Sequence, residues 1–365
     1  MIRVLHICAA LDGGGVDRFL LNYWQAANKE ILHFDFVVHS NKRGILEDQI
    51  EELGSAIYHV VPKTEDFIGY LKQMTRIFKE GSYDIVHCHQ GYNSYIPLIN
   101  ARRCGITNTI AHAHTAFEPE SRFSSLLRKI SSYLTRITAS QLAACSQDAG
   151  LYMWGTHSFT VLEDAIDLSA YAFSQTARSC FRDRLGFSSK FVVGCVGRLC
   201  PSKNHMRLLN IFRLIQSDHP ESALLIVGTG SEEQRIKKTA DQLKLRNVCL
   251  FGVSNQTGQL LSAMDVFVLP TLYEGFGMAF LEAQANGLNT FASKTVVPEA
   301  TRISDLIHYI PLEATDSEWA SCITKYMRKR TKFEPLPQAD DYDIKIKADQ
   351  LCKYYLDICK DDTKK

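Results

Sequence analysis

Short apolar runs alternate with longer amphipathic stretches over most of the chain, the pattern of βαβ units built around parallel sheets. In the first half the strand-like runs are residues 2–9, 34–38, 56–60, 85–87, 109–112 and 141–144. Helical spacing lies between them at 16–27, 44–53, 67–79, 95–103 and 124–138. A fresh series of strand-like runs follows at 191–196, 223–227, 248–251, 266–269 and 290–292. Between Asp164 and Lys190, Ser, Arg and Gly interrupt the pattern. The chain therefore reads as α/β, with two doubly wound, Rossmann-like domains at 1–170 and 171–340. A tail at 341–365 is predicted to be helical over 342–360, to pack back on the first domain, and to be disordered at DDTKK. Open parallel sheets bind ligands at the carboxyl ends of their strands, so two such domains imply a cleft there.

Composition narrows the class. A chain of 365 residues exceeds what one core usually serves, which agrees with two domains. A formal net charge of +1 provides no field for nucleic acid, so none is expected as a partner. The start, MIRVLHICAALDGGG, lacks the basic leader and cleavage site of a signal peptide and reads as a buried strand. No apolar run approaches the roughly 18 residues of a membrane span. The eleven cysteines are scattered without a C-x-x-C pair, and Cys8, Cys195 and Cys249 sit inside strand patterns. Free thiols, a cytoplasmic setting and no zinc site follow as expectations.

Three strand-to-helix joints carry the candidate chemistry. The first, Asp12-Gly13-Gly14-Gly15, offers bare backbone N–H groups and a helix N-terminus to an anion, or is simply a flexible turn. It is not a dinucleotide fingerprint, because Arg18 stands where the third glycine belongs; in Gly228-Thr229-Gly230 the same place falls on Glu233. The second joint runs Gly197-Arg198 to Lys203, two cations able to converge on a diphosphate, although spacing alone favours an ordinary surface pair. The third is Leu269 to Ala283, with Glu274 on the loop and Glu282 in the following helix. Glu282 lies in an apolar run, where a carboxylate needs a partner, and Gly275, Phe276, Gly277 and Met278 offer N–H groups between the two acids. His114 closes a strand as either a site residue or a satisfied core histidine, with His112 as its competitor.

In this order and spacing, IVHCHQGYNS, IAHAHTAF, VGRLCPSKNH, LLIVGTG and AMDVFVLPTLYEGFGMAFLEAQANGL resemble the retaining glycosyltransferases of family 4, with the GT-B fold. The nearest flavour is that of bacterial exopolysaccharide and capsule transferases. The resemblance implies that Arg198 and Lys203 hold a donor diphosphate, that Glu282 grips the nucleotide ribose, and that Glu274 with Gly275–Met278 lies beside the donor sugar. It implies that His114 contacts that sugar from the other side. Gly14 and Gly15 would abut the diphosphate, with Asp17 nearer the acceptor. The implied reaction is metal-free and cofactor-free transfer, with retention, from a nucleotide diphosphate-sugar (UDP-linked by family default) to a glycan or lipid-linked glycan, on domain closure. Asp17, Glu163, Asp164, Asn289 and Lys294 depart from the family pattern, mainly on the acceptor side. A sugar-nucleotide epimerase or hydrolase, and a non-catalytic partner subunit, are the rival readings. Residues 121–138 mix Arg122, Arg128, Lys129 and Arg136 with Phe123, Leu126, Leu127, Ile130 and Leu134 at helical spacing. Such a helix either packs on the first sheet or lies on an anionic membrane.

Overall fold

A computed structural model describes residues 1–115, 122–274, 276–327, 330 and 333–362. The chain forms two compact units, 1–165 together with 341–365, and 166–340. In the first unit β1 (Ile2–Cys8), α1 (Gly15–Ala26), β2 (Leu32–Val38), α2 (Glu47–Glu52), β3 (Ile57–His59), α3 (Phe67–Glu80), β4 (Ile85–Cys88) and α4 (Tyr95–Arg103) follow in chain order. They are continued by β5 (Asn108–Ala113), α5 (Arg122–Thr138), β6 (Gln141–Ala144), α6 (Gln147–Trp154) and β7 (Thr160–Val161). These strands form one parallel sheet in the order β3-β2-β1-β4-β5-β6-β7.

The second unit opens with α7 (Gln175–Leu185), β8 (Phe191–Val196), α8 (His205–Asp218), β9 (Ser222–Val227), α9 (Glu233–Gln242), β10 (Val248–Gly252) and α10 (Thr257–Ala263). It ends with β11 (Val266–Leu269), α11 (Met278–Ala285), β12 (Asn289–Ser293), β13 (Ile307–Ile310) and α12 (Asp316–Thr324). Its sheet is also parallel, in the order β10-β9-β8-β11-β12-β13. Helices cover both faces of such sheets, so central strands need apolar residues throughout rather than in alternation; Val266–Leu269 is wholly buried.

The last helix, α13 (Ile344–Asp362), returns to the first unit. Ile344, Leu351, Tyr355 and Ile358 enter a core with Trp24, Phe34 and Phe36, and Lys347 pairs with Glu163 at 2.7 Å. The helix runs on to Asp362, two residues into the tail expected to be disordered; 363–365 lie outside the described residues. The first passage between units falls at 165/166 rather than 170/171, because Ala165 is buried in the first core whereas Tyr171 packs on the second.

The segment taken as an interruption contains α7. The Ser174 hydroxyl accepts the Ala177 N–H, and Gly186 ends the helix at φ +70. This helix binds the second core through charge. Asp265, almost fully buried, accepts bonds from Arg178 at 2.5 Å, Arg182 at 2.6 Å and the Val192 N–H at 2.7 Å. Burial lowers the Arg182 pKa, with Asp265 opposing the shift. The strands β7 and β13 are likewise additions to the pattern; β7 has two residues, and β13 has buried ends on either side of the half-buried His308 and Tyr309.

The helix α5 is mounted with its polar side inward. Ser132, Thr135 and Thr138 are buried, and Thr135 Oγ1 donates to the Tyr92 carbonyl at 2.8 Å. Leu126, Leu127, Ile130, Tyr133 and Ile137 are each about half exposed or more, from 48% to 59%. No helix among the described residues is long and apolar enough to cross a membrane. All eleven cysteines are free, and burial pushes the Cys195 thiol up to about 12.

Replacing Asp265 by Ala leaves Arg178 and Arg182 facing each other in a buried place, and the expected loss is about 3 kcal/mol or more. Urea unfolding of the Asp265→Ala protein should show a lower midpoint.

Candidate active site

In a doubly wound sheet, connections diverge to opposite faces where the strand order reverses, and a crevice opens at the strand ends. In the second unit that place lies between β8 and β11. The loop after β8 carries Arg198 and Lys203, and the loop after β11 carries Glu274. The two loops are tied together, since the Ser202 carbonyl accepts both the Thr271 hydroxyl at 2.9 Å and the Leu272 N–H at 2.7 Å. This tie brings Lys203 and Glu274 into a direct ion pair, their side chains only 18% and 12% exposed. Arg198 is exposed, and its guanidinium has no partner among the described residues. The structure thus joins Lys203 to Glu274 rather than to Arg198.

The Arg198 loop is held from beneath by glycine backbone. Leu199 N–H donates to the Thr229 carbonyl at 2.9 Å, and Gly197 N–H to the Val227 carbonyl at 3.0 Å. A Cβ on Gly228, at φ +141, would lie 2.0 Å from the Gly197 carbonyl oxygen. These glycines therefore answer a packing demand between loops.

Gly277 caps α11 at φ +98, and a Cβ there would sit 2.8 Å from Phe280. The side chains of Phe276 and Met278 are buried, so any ligand would meet their backbone, and the first turn of α11 has N–H groups with no acceptor inside the helix. Gly275 lies outside the described residues. Glu282 is 6% exposed, and the Tyr171 hydroxyl donates to its Oε1 at 3.0 Å. Sequence reasoning missed Tyr171, because nothing in the spacing links residues so far apart. Of the departures in this unit, Asn289 starts β12 buried with Oδ1 3.0 Å from His308 Nε2, and Lys294 is exposed beyond the end of that strand.

In the first unit the corresponding reversal lies between β1 and β4. Gly13 turns at φ +85, and α1 begins at Gly15. Asp17, 8% exposed, accepts the Gly14 N–H at 2.8 Å. The Gly14 donor expected to meet a diphosphate is therefore taken, and the N–H groups of Gly15 and Val16 are the first-turn donors without an intrahelical acceptor. The departure at Asp17 is a cap. Glu163 uses its carbonyl to accept the Tyr23 hydroxyl at 2.6 Å, while Asp164 is buried nearby.

His114 ends a ladder of five imidazoles, His6 on β1, His87 on β4 and His112 on β5, with His89 and His114 just beyond the ends of β4 and β5. His6 Nδ1 lies 3.0 Å from His89 Nε2, and His89 Nδ1 lies 2.9 Å from His114 Nε2. Beside this series His112 Nδ1 lies 3.1 Å from His87 Nε2, and His87 Nδ1 lies 2.7 Å from the Tyr355 hydroxyl. The rings stack, with centroids 4.3 Å apart for His87 and His89 and 4.0 Å for His112 and His114, and Phe19 of α1 packs across three of them. His6-His87-His89 and His89-His112-His114 each bring three ligand nitrogens within 4.8 Å, the number a catalytic zinc ion takes from a protein. Those rings are already joined through ring-to-ring hydrogen bonds. Burial lowers His6 and His114 to about 3, and holds His87, His89 and His112 well below the ordinary histidine value. Of the two competing histidines, His112 is wholly buried and His114 is partly exposed. The two H-x-H pairs were the visible signal, since alternate residues share a strand face; His6 had none.

Because folding lowers these pKa values, the unfolded chain takes up protons that the folded one refuses. Stability is complete above pH 6.5 and is lost as pH falls from there toward 3. Urea midpoints at pH 5 should be lower than at pH 7.

Comparison with known proteins agrees with this geometry. A family model described as Glycosyltransferase Family 4 matches residues 13–154, and one described as Glycosyl transferases group 1 matches 179–310. EpsF of Bacillus subtilis is 26% identical over 337 residues, covering 88% of this chain and 87% of EpsF. The UDP-Gal:alpha-D-GlcNAc-diphosphoundecaprenol alpha-1,3-galactosyltransferase of Escherichia coli is 28% identical over 311 residues, covering 80% of this chain and 79% of that protein. CapH of Staphylococcus aureus, a capsular polysaccharide biosynthesis glycosyltransferase, is 21% identical, covering 98% and 99%. Among solved structures, Anabaena HepE in complex with UDP and glucose superposes with a TM-score of 0.80 at 18% identity, covering 97% of this chain and 99% of HepE. The lipopolysaccharide glycosyltransferase WaaG superposes at 0.68 and 16% identity, covering 96% and 95%. With a family model matched in each unit, the two parallel sheets are those of the GT-B fold, and the chain belongs to the group 1 and family 4 glycosyltransferases, similar to proteins of bacterial polysaccharide and capsule synthesis.

Proposed function

We propose that this enzyme moves a hexose or N-acetylhexosamine, with retention of configuration and without a metal, from a UDP-linked sugar to a hydroxyl of a glycan or lipid-linked glycan. The observation that carries the reading is the Lys203–Glu274 ion pair at the strand reversal of the second unit, with the unpartnered guanidinium of Arg198 following the same strand. A diphosphate is a stronger partner for an ammonium than one carboxylate, since it presents more charge. Donor binding draws Lys203 toward the phosphates, with Arg198 as the second cation, and frees Glu274 for the sugar hydroxyls. Glu282, oriented by Tyr171, accepts the ribose hydroxyls. The two cations and the N-terminus of α11 then stabilise the departing diphosphate in the role a divalent ion fills elsewhere. His114, Gly15 and Asp17 belong to the first unit, where the acceptor is bound. The UDP and lipid-linked parts of the reading draw on the E. coli relative, whose name specifies a UDP-galactose donor and a diphosphoundecaprenol acceptor, and on HepE, which was solved with UDP and glucose.

The outward apolar face of α5 supports a place on the membrane for such an acceptor. Lys129 is exposed on that helix, Arg136 stands in its last turn, and the Arg128 guanidinium lies 4.5 Å from the centre of the Tyr152 ring. Apolar side chains flanked by cations suit the headgroup boundary of an anionic bilayer.

Lys203→Ala and Glu282→Ala should each reduce transfer by about a hundredfold or more while the circular dichroism spectrum is kept; unchanged turnover overturns the assignment. NMR of the protein with a sugar nucleotide and no acceptor should show a stable donor, whereas a new epimer or rapid free sugar points to the rival chemistries. Wild-type protein should co-sediment with phosphatidylglycerol vesicles, less at high salt, and Leu126→Ser with Ile130→Ser should abolish this. Wild-type protein that stays in solution refutes the membrane contact.

A further inference from the structure

We infer that the His6–His89–His114 series is a one-directional hydrogen-bond relay that locks the proton of His114 on Nδ1, making it a fixed donor to an oxygen of the substrate, with His89 as the positioning residue. The direction follows from the buried end. His6 Nε2 is shielded from solvent and has no hydrogen-bond partner among the described residues. Buried donors without an acceptor are rarer than buried acceptors without a donor, so the bare nitrogen is Nε2 and the single proton of a neutral His6 sits on Nδ1.

That proton points at His89 Nε2, 3.0 Å away, which therefore accepts. The His89 proton is then on Nδ1 and is donated to His114 Nε2 at 2.9 Å. His114, having accepted at Nε2, carries its proton on Nδ1, an atom with no partner among the described residues. Burial keeps all three rings in the neutral form the argument requires. Phe19 packs tilted against His89, at 5.9 Å, and edge-on against His114, at 5.4 Å. The neighbouring series obeys the same rule: His112 Nε2 is buried and bare, so His112 Nδ1–H donates to His87, and His87 Nδ1–H donates to Tyr355.

A histidine whose tautomer is fixed acts on substrate as a donor alone and cannot remove a proton. The assignment of His114 to substrate contact rests on the proposed transfer reaction; the tautomer does not, and it is read without substrate.

The test is a long-range 15N–1H correlation spectrum of protein labelled at histidine. In the wild type, His114 Nδ1 should show the protonated nitrogen shift and Nε2 the bare one, with His87 and His112 alike as internal controls. In His89→Leu, His114 should become a tautomer mixture, and kcat should fall about tenfold, the worth of one hydrogen bond between neutral groups, with little change in donor KM. His89→Gln, whose amide can still donate to Nε2, should restore both. Wild-type His114 protonated on Nε2 overturns the inference. So does a His89→Leu protein that keeps both the wild-type tautomer and kcat, or one that only melts earlier. Should the leucine variant fail to fold, the wild-type spectrum alone decides. Should transfer itself not be found, the spectrum still reports the relay.

Discussion

Parallel pairing forces every connection back across the sheet, and a doubly wound order leaves one place in each sheet where two neighbouring connections leave for opposite faces. Everything chemical in this molecule is arranged by that constraint. In the second unit it sets the ends of β8 and β11 side by side, so that Lys203 and Glu274 meet although 71 residues separate them. The Ser202 carbonyl then fixes their spacing through Thr271 and Leu272, and the glycines at 228 and 230 let the β9 loop press against the Arg198 loop. In the first unit the same constraint places the glycine turn before α1 next to the histidines of β4. Phe19 on that helix presses against the ladder, so the turn and His114 share one packing unit.

The two cores hold different clusters of buried polarity, although both use ion pairs, as Arg3 with Asp35 at 3.0 Å shows for the first. The second pairs charge with charge: Asp265 gathers two arginines and a backbone N–H, and Glu282 leans on Tyr171. Such groups hold elements together strongly once matched, and they fail when one member is lost. The first core also keeps five imidazoles neutral and lets them satisfy one another. Neutral rings avoid the desolvation of an ion, and their cost is that protons begin to oppose the fold nearer neutral pH than they do for a paired carboxylate.

Much of this was legible in the chain. Continuous apolar runs such as Phe191–Val196 and Val266–Leu269 have no good alternative to a buried parallel strand, and they are β8 and β11. Arg198, Lys203 and Glu274 stood out in the chain because they lie in the strand-to-helix loops after β8 and β11, and Glu282 because it interrupts an apolar run. What was hidden depends on contacts distant in sequence. The inward polar face of α5 could not be told from its outward apolar face, since periodicity gives the stripe and not the side that is covered. The helix α7 was passed over because Arg178, Arg182 and Arg184 look like solvent residues until Asp265 is known to be opposite. Asp17 read as a ligand for the acceptor, yet its reach is just that of a cap on Gly14.

The return of α13 to the first unit has a consequence for how the protein is made. Domains emerging from the ribosome ordinarily fold in the order of synthesis. Here Ile344, Leu351, Tyr355 and Ile358, which complete the core around Trp24 and Phe34, are translated after the whole second unit. The nascent first sheet must wait with an apolar flank uncovered, and the Tyr355 hydroxyl that meets His87 arrives last of all. The later half of the chain therefore has to fold while the earlier half is unfinished, and a chain released early would lack the helix that seals its beginning.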